Sequence, residues 1–499
     1  MKLKQTVSIH EILIFFVLFF SPLIFGAVHV WAYSLVSLTV LFLFFTRFTN
    51  STKLFRDVFR ISFPKIFLLF LFLNLLYLIP IPSNCLKIIN PHVYNLNNEF
   101  SLSKLTWETF SIYPNATFRY LMKFTVYWMF TTIIISKIIY AIDTPTLINR
   151  HKESINANFI FLGAISGVFS IILHSLCDFN LHIPANAVYF FTLCAIITSI
   201  SFCKKNNIPI SYPFLNKLVN FIIITGFFVA VLGIAQKLGG NGKIYWCVEK
   251  QGSHFGPYIN YDHFAGFMEM CILLAFACFV SKVSLSSLPH INNLKDKIIW
   301  LSSKEANQTL IYLFAAILMT AALFMSTSRG GIMSFSAAFA LFSVICAASI
   351  DTRRKIRFLL ALFFIIIFVV IMILWIGPEE TVNRFKLLNV LIKKIIQERS
   401  ILSELRPHIW VNTIQLIKDF PIFGTGFGTY SYIFPKYRTF SGEYGFLYYA
   451  HNDYLHFTSE MGIISVLFVT LFLIWYWLRL QECFKFLQQS LLRKTKKDL

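Results

Sequence analysis

Charged residues are scarce in this chain, and acidic residues are the scarcer of the two kinds. Of the 499 residues only 13% are Asp, Glu, Lys or Arg, about half the usual share of a soluble domain, whereas 57% are hydrophobic. A soluble protein of this length would lack the polar side chains needed to cover its surface. The composition therefore excludes a soluble enzyme, a disordered chain and a secreted disulfide scaffold.

Long apolar runs take the place of the missing charge. They are continuous over about 20 residues and do not alternate with polar residues, which excludes a transmembrane β-barrel. We therefore predict an all-α, polytopic integral membrane protein with about twelve transmembrane helices. Lys2 and Lys4 precede the first run as in a signal peptide, but the later spans favour a retained helix. The predicted spans are residues 10–27, 31–47, 63–81, 119–140, 157–175, 183–202, 218–236, 261–281, 308–327, 331–350, 357–377 and 462–480.

The hydrophobic pattern divides the chain into four segments. Residues 1–217 contain about six N-terminal transmembrane helices, and residues 218–377 contain a second set of transmembrane helices. Residues 378–461 are too polar to span a membrane and form one long loop. Residues 462–499 contain the last span and a basic tail.

The positions of the 44 lysine and arginine residues predict the orientation of the spans. With the N-terminus in the cytoplasm, most of them fall in cytoplasmic segments, including the cluster at 353–357, and the short outer loops have few. Both termini are then cytoplasmic, and loop 378–461 is extracytoplasmic. The net charge of +21 follows from this topology and from contact with anionic lipid, so we expect a lipid bilayer as partner and no nucleic acid.

The nine cysteines are odd in number and lie mostly inside apolar runs, which predicts free thiols. Only Cys85 and Cys247 fall in predicted outer loops, where a disulfide between them is an alternative.

The long loop contains one predicted helix, from Pro407 to Asp419. Pro407 suits a first helical turn, and an apolar stripe of Trp410, Ile414 and Ile417 predicts a helix lying on the membrane surface. Pro421 and Gly424 end it. The glycines at 424, 426 and 428 form a turn and not a nucleotide loop, because no Lys-Ser/Thr pair follows them.

Two arginines stand out as candidate anion ligands. Arg329 lies in Ser326-Thr327-Ser328-Arg329-Gly330-Gly331, between two apolar runs, where a guanidinium is costly unless it is paired or faces a wet cavity. Arg406 lies four residues before Trp410 and continues the apolar stripe of the predicted helix. Its fork of donors matches phosphate oxygens. The alternatives are a snorkelling arginine at 329 and an arginine on lipid phosphate at 406.

His451 is the candidate general base. It precedes Asn452 and Asp453, either of which can cap the last helical segment, and histidine is the usual base near neutral pH. The alternative is a structural capping histidine. Asp453, His456 and Glu460 share one helix face, which fits a polar cavity wall as well as a metal site. We expect the cavity wall, lined by Asn452, Asp453 and Glu460, and no metal.

Two further polar phrases are expected either to line the same cavity or to cap helices. One begins at His174 and continues through Asp178 to Asn180, at the end of the fifth predicted span. The other, Asn260-Tyr261-Asp262-His263, opens the eighth span. His174 and His263 are the candidate cavity-lining residues.

In order and spacing these motifs resemble the O-antigen ligase and polymerase family of bacterial envelope glycosyltransferases. The resemblance is carried by Ser328-Arg329-Gly330-Gly331, by Arg406-Pro407-His408-Ile409-Trp410, by residues 421–428 and by His451-Asn452-Asp453-Tyr454-Leu455 with Glu460 and Gly462. Residues 260–266 resemble a further phrase, in which Tyr261 and Asp262 replace the expected polar residues.

The resemblance implies a substrate class. Family members transfer a glycan from an undecaprenyl-diphosphate-linked donor to a hydroxyl group on the outer face of the inner membrane. The acceptor is lipid A–core, another repeat unit or a protein side chain, so lipopolysaccharide or exopolysaccharide synthesis is implied. By resemblance, Arg329 and Arg406 hold the diphosphate and His451 activates the acceptor. Because two arginines would neutralise the leaving diphosphate, we expect metal-independent transfer without a cofactor.

The main alternative is a membrane transporter or flippase for a lipid-linked glycan or a small ion. Transporters usually carry ionisable residues near the bilayer midplane and broken helices or repeats. The charges of this chain gather at the predicted outer ends of the spans, which favours chemistry at the surface. The sequence does not separate a ligase from a polymerase.

Overall fold

The structure, a computed structural model, describes residues 8–49, 58–100, 105–139, 147–249, 253–285, 302–349, 405–440 and 446–495. Helices make up most of these residues, and the only sheet among them is one antiparallel pair, β1 (Ile81–Pro82) and β2 (Trp107–Glu108). The helices, in chain order, are α1 (Ile9–Leu23), α2 (Val30–Phe48), α3 (Ser62–Leu76), α4 (Ser83–Ile89), α5 (Pro91–Phe100), α6 (Pro114–Ile139), α7 (Leu147–His174), α8 (Pro184–Lys205), α9 (Tyr212–Gly239), α10 (Tyr261–Leu285), α11 (Lys304–Met325), α12 (Arg329–Ser349), α13 (Leu405–Asp419), α14 (Tyr430–Tyr437), α15 (Asp453–Met461) and α16 (Ile463–Thr495).

The described part of the chain contains nine helices that are long and apolar enough to cross a membrane. They are α2, α6 to α12 and α16. Two shorter apolar helices, α1 and α3, coincide with the predicted spans 10–27 and 63–81. The prediction of an all-α polytopic membrane protein is confirmed, and eleven of the twelve predicted spans correspond to a helix. The remaining predicted span, 357–377, lies outside the described residues.

The helices α7 and α10 pack against each other at the centre of the bundle. Their contact is close because α7 presents glycine there: a Cβ atom on Gly163 would lie 2.6 Å from the Cβ of Ala277, and one on Gly167 would lie 3.5 Å from the Cα of Met270. Small residues let helix backbones approach in this way. The packing holds the end of α7 at His174 beside the beginning of α10.

The connection between α7 and α8 is a tight turn, as the sequence predicts. It contains a short 3-10 helix at Asn180–His182, and Pro184 occupies the first turn of α8, where its missing N–H costs nothing. The turn therefore presents several polar side chains at one end of the bundle.

A loop subdomain, made of residues 81–113 and 405–450 as far as they are described, packs on this end of the bundle. It has its own apolar core, in which residues of α4 and α5 meet residues of α13 and α14. The buried members of that core are Leu86, Val93, Leu96, Ile409, Leu416, Phe420, Tyr430, Ile433, Phe434 and Ala450.

The helix predicted at 407–419 is confirmed as α13, and the face that packs on the loop subdomain is a different one from the apolar stripe predicted to meet the membrane surface. Ile409 and Leu416 are buried, whereas Ile414 is 43% exposed. The physical reason is the packing partner of α13. The helix buries the face that is turned toward the core of the loop subdomain, and the sequence pattern of α13 alone does not show where that core lies.

The turn after α13 is confirmed. Gly424 and Gly426 have φ values of +62° and +108°, and a Cβ atom on Gly426 would lie 2.5 Å from Oγ of Ser111. All nine cysteines are free, and the alternative of a disulfide between Cys85 and Cys247, both exposed, is wrong.

Candidate active site at one end of the helix bundle

Asp262, at the beginning of α10, joins two segments that are far apart in the sequence. Its Oδ1 accepts a hydrogen bond of 2.6 Å from Oγ of Ser328, and its Oδ2 lies 2.6 Å from a guanidinium nitrogen of Arg406. The Oγ of Ser328 also accepts the backbone N–H of Gly331 at 3.1 Å and so caps α12. One carboxylate thus fixes the start of α12 and the start of α13 against α10.

Of the two candidate arginines, Arg406 contacts this carboxylate, and Arg329 follows the serine that does. Arg329 directly follows Ser328 and is the first residue of α12, where it is half-buried. The glycines after it let α12 approach α7, because a Cβ atom on Gly330 would lie 2.7 Å from Sγ of Cys177. The pKa of Arg406 is raised: burial alone would lower it, but Asp262 outweighs burial, so the guanidinium stays charged.

Asp178, in the turn after α7, is fully buried and lies between two histidines. Its Oδ2 is 3.6 Å from Nε2 of His263, and its Oδ1 is 3.6 Å from Nδ1 of His451. Burial by itself raises the pKa of this carboxyl, but His263, His451 and Arg406 outweigh burial, so the pKa is lowered. Asp178 is therefore an ionised carboxylate at the centre of the cluster.

Phe179 holds both histidine rings from the side. Its ring stacks on Tyr449 at 4.2 Å between centroids and makes edge contacts with His263 at 4.6 Å and with His451 at 4.9 Å. Such contacts fix the plane of each imidazole.

His451 has a side chain that is 25% exposed and a backbone φ of +50°. Because its Nδ1 faces Asp178, its other nitrogen is turned away from that carboxylate. The residue that caps α15 is Asn452, whose Oδ1 accepts the N–H of Leu455 at 3.0 Å and whose Nδ2 donates to the carbonyl of Leu176 at 2.7 Å. This observation does not favour the alternative of a capping histidine at 451.

Asp453 anchors α15 to the turn between α7 and α8. Its Oδ2 accepts hydrogen bonds from Oγ of Ser175 at 2.8 Å and from the N–H of Leu181 at 3.2 Å, and its Oδ1 lies 2.8 Å from Nδ1 of His182. Burial raises the pKa of Asp453 to about 7. The carboxyl group is thus poised between its two protonation states near neutral pH.

His182, His456 and Glu460 form a buried group whose ligand atoms lie within 4.8 Å of one another, close enough for a metal ion. The hydrogen bonds favour another role. The N–H of Ala450 donates to Nδ1 of His456 at 3.3 Å, which places the ring proton on Nε2, and Nε2 lies 3.2 Å from Glu460. Hydrogen bonds thus run from Ala450 through His456 to Glu460, and a metal ion would have to displace the proton on Nε2.

Glu460 continues this chain into the loop subdomain. Its Oε1 accepts the backbone N–H of Tyr430 at 3.0 Å, at the beginning of α14. Burial alone would raise the pKa of Glu460, but His456 outweighs it and the pKa is lowered. The face shared by Asp453, His456 and Glu460 is therefore buried behind His451.

His174 and Glu269 form an ion pair inside the bundle. Nδ1 of His174 lies 2.7 Å from Oε1 of Glu269, and the other oxygen of Glu269 accepts hydrogen bonds from Ser334 at 3.0 Å and from Ser170. The pair links α7, α10 and α12. Glu269 was missed in the sequence, although an acid inside an apolar span is a signal for it.

An apolar groove reaches the same cluster from the side. Ser175 and Asp453 lie at its polar end, and the rest of the lining is dominated by phenylalanine side chains of α3, α8 and α16: Phe63, Phe67, Phe70, Phe190, Phe191, Phe468 and Phe472.

The fold and the cluster together define a polytopic helical membrane protein with a charged site at one end of its bundle. Comparison with protein families then identifies it more closely: residues 314–479, about a third of the chain, match the family described as O-antigen ligase. The resemblance to the O-antigen ligase family is confirmed over these residues, and the match supports a membrane glycosyltransferase of the O-antigen ligase or polymerase type in general. The family implies a lipid-linked glycan and a polysaccharide acceptor as partners. No curated protein and no solved structure match the chain.

The matched region contains Arg329, Arg406 and His451. Asp178 and Asp262, which contact them, lie before it. The site is thus completed by the part of the chain outside the family match.

Proposed function

We propose that this protein transfers a glycan from an undecaprenyl-diphosphate-linked donor to an acceptor hydroxyl at the extracytoplasmic face of the bacterial inner membrane. The observation that carries the proposal is the convergence of separate segments on two buried acids: Arg406 and the start of α12 meet at Asp262, and His451 meets Asp178. Cations for a leaving group and a base for an acceptor are the two requirements of such a transfer.

Arg329 and Arg406 are assigned to the diphosphate. Asp262 engages one guanidinium nitrogen of Arg406, which leaves other N–H groups of the fork to face a phosphate, and it also orients the side chain. Arg329 stands at the N-terminus of α12, where the helix dipole adds positive potential. The two charges stabilise the diphosphate as it leaves, without a metal ion.

His451 is assigned to the acceptor. Its free nitrogen takes the hydroxyl proton as the acceptor oxygen bonds to the anomeric carbon and the bond from that carbon to the diphosphate breaks. The electron pair leaves with the diphosphate, and the proton stays on His451 as an imidazolium. Asp178 stabilises that cation across 3.6 Å. An in-line displacement of this kind inverts the anomeric centre.

The phenylalanine-lined groove is assigned to the donor lipid. A polyprenyl chain is apolar and needs a path from the bilayer to the site, and the groove ends at Ser175 and Asp453, two residues after His451. His174 and Glu269 are assigned a positioning role, since they pack against Gly330 and Gly331 in the first turn of α12, directly after Arg329.

Transport is the second candidate function, and the ion pair between His174 and Glu269 is the observation that favours it, because ionisable residues inside a bundle often mark a transport path. Ser170 and Ser334 both donate hydrogen bonds to Glu269, however, which supports a structural role more than a path.

The test uses purified protein in lipid nanodiscs with donor lipid extracted from the producing strain. Transfer to added acceptor supports the proposal, whereas movement of donor across the bilayer without transfer would support the transporter. In a deletion strain, loss of all capped lipid A–core identifies a ligase, and retention of species with one repeat unit identifies a polymerase.

A further inference from the structure

The loop subdomain contains an open cleft of about 1060 Å³, away from the acids and arginines of the candidate site. It lies between α5, the segment around β2 and α14. Its chemically distinctive lining residues are Asn97, Glu99, Trp107, Glu108, Tyr113 and Tyr432. The volume is at the upper end of the range for small-molecule sites.

Exposed aromatic rings line this cleft. Trp107 is 61% exposed and Tyr432 is 50% exposed, and the rings of Tyr113 and Tyr432 lie 4.6 Å apart at an interplanar angle of 57°. Large rings left in water mark a surface that is covered in another state. A flat ring offers an apolar face, and sugar rings present a matching face of C–H groups while keeping their hydroxyls at the edge.

A buried carboxylate supplies the polar half of the cleft. Glu108 is 4% exposed, and its Oε2 accepts a hydrogen bond of 2.8 Å from Nδ2 of Asn97. Its Oε1 has no donor among the described residues. A buried acceptor without a donor costs free energy, and a hydroxyl group of a bound ligand would remove that cost.

The charge of the cleft points away from an anionic ligand. Glu108 and Glu99 both line it, and Lys436, the one cation among its described lining residues, is paired with Glu99 at 2.8 Å. Beside the cleft, Arg119 donates to Oη of Tyr432 at 3.1 Å, so the described charges nearly balance and leave no excess of positive charge for a phosphate or a lipid headgroup. A neutral, hydroxyl-rich ligand fits the aromatic faces and the carboxylates together.

The cleft shares its framework with the candidate active site. Tyr430, at the start of the helix that carries Tyr432, donates its N–H to Glu460, and Ile112, next to Tyr113, donates its N–H to the carbonyl of Thr425 at 3.0 Å. The cleft and the candidate active site are therefore held by the same segments of the loop subdomain.

We propose that this cleft binds sugar residues of the glycan that lie beyond the reacting bond. The proposal rests on the proposed function for the origin of the glycan, which is either the donor chain or the acceptor. It makes Trp107, Tyr432 and Glu108 specificity-determining residues that do not touch the reacting atoms.

The test is ligand-observed NMR with purified full-length protein and three soluble probes. The probes are the repeat-unit oligosaccharide released by mild acid from the strain's own surface polysaccharide, the delipidated core oligosaccharide, and dextran as an unrelated glycan. A saturation signal from the repeat unit alone identifies the ligand of the cleft as the donor chain or a growing chain. A saturation signal from the core alone identifies the ligand as the acceptor. We expect no saturation by dextran.

Trp107→Ala and Glu108→Gln should each weaken the productive probe about tenfold, the loss of one stacking or hydrogen-bonding contact. Trp246→Ala is the matched control, since Trp246 is also an exposed tryptophan but lies in the loop between α9 and α10. Melting temperatures equal to that of the wild-type protein confirm that the variants are folded. If Trp107→Ala is not folded, Glu108→Gln alone tests the proposal.

Binding is measured without lipid donor, so the two proposals fail separately. If a cognate probe still gives an NMR saturation signal while the protein transfers no glycan, the proposed function is wrong and the cleft proposal stands. Transfer by wild-type protein together with unchanged probe binding in both cleft variants, or no saturation by either cognate probe, would overturn the cleft.

Discussion

Oδ1 of Asp178 lies 3.6 Å from Nδ1 of His451, although more than half of the chain separates the two residues in sequence. Asp178 follows the end of α7 and His451 precedes α15. The pair therefore forms only after the bundle and the loop subdomain have packed together. A buried carboxylate behind a partly exposed imidazole is the arrangement that stabilises a histidine as it gains a proton.

The first prediction concerns this pair. His451→Ala should lower the transfer rate by about 10²–10⁴, the usual cost of losing a general base, and should leave donor binding intact, since the base acts on the acceptor. Asp178→Asn should lower the rate less, because the histidine remains. Initial rates and donor binding are measured on purified protein, with His92→Ala as the control at an exposed histidine. Lost donor binding in His451→Ala would contradict the assignment.

The second prediction concerns the arginine fork. Arg406→Lys and Arg329→Lys keep the charge but lose the planar pair of donors, so transfer should fall strongly while membrane insertion is unchanged. Both variants should also bind the donor lipid more weakly, since both are assigned to one diphosphate. Arg438→Lys, in the same loop subdomain, is the matched control. Normal donor binding by both variants would show that the diphosphate is held elsewhere.

The third prediction concerns metal ions. Chelation by EDTA should leave transfer unchanged, because arginines neutralise the leaving group and the ring proton of His456 faces Glu460. Transfer is assayed before and after chelation and after addition of Mg²⁺, Mn²⁺ or Zn²⁺. Activity that is lost with EDTA and restored by one of these ions would revive His182, His456 and Glu460 as a ligand set.

The fourth prediction concerns stability and pH. Burial raises the pKa of Asp453 to about 7 in the folded protein, so the folded state holds a proton that the unfolded chain releases above its ordinary value of 3.8. This stabilisation is complete below that value and is lost as the pH rises to about 7, and each unit of pKa corresponds to about 1.4 kcal/mol.

Asp453→Asn should flatten that part of the pH dependence, because an amide donates to Nδ1 of His182 as the protonated carboxyl does. Melting temperatures in detergent between pH 4 and pH 8 measure it. Glu249→Gln, at an 84% exposed carboxylate, should keep the wild-type slope. An Asp453→Asn protein with the wild-type slope would place the pKa of Asp453 near its ordinary value.

The fifth prediction concerns orientation. In a variant freed of its native cysteines, a cysteine at Tyr432 should react with an impermeant thiol reagent from the extracytoplasmic side, and a cysteine at Asn206 should react only after the membrane is opened. Both positions are exposed. Labelling of position 432 from the cytoplasmic side alone would reverse the topology.

The spans were predictable because the bilayer imposes one simple requirement, a continuous apolar run, on each helix. The sequence also pointed to three candidate site residues, because each is a costly residue at the edge of an apolar segment: Arg329, Arg406 and His451. Asp178 and Asp262 were noticed only as members of polar phrases, because their partners come from other segments of the chain, 66 residues away for Ser328 and 144 for Arg406. The face of α13 that packs on the loop subdomain was not predicted for a related reason: its partner, the core built by α4 and α5, leaves no trace in the periodicity of α13.

The backbone of His451 has consequences for the evolution and engineering of this protein. At φ +50° a residue with a Cβ atom sits in a conformation that glycine or asparagine adopts at lower cost. The backbone at this position therefore gives folding no reason to prefer an imidazole over those residues. A thermostabilisation campaign that ranks substitutions by backbone strain would replace His451 by glycine or asparagine, and under the proposed function it would remove the general base.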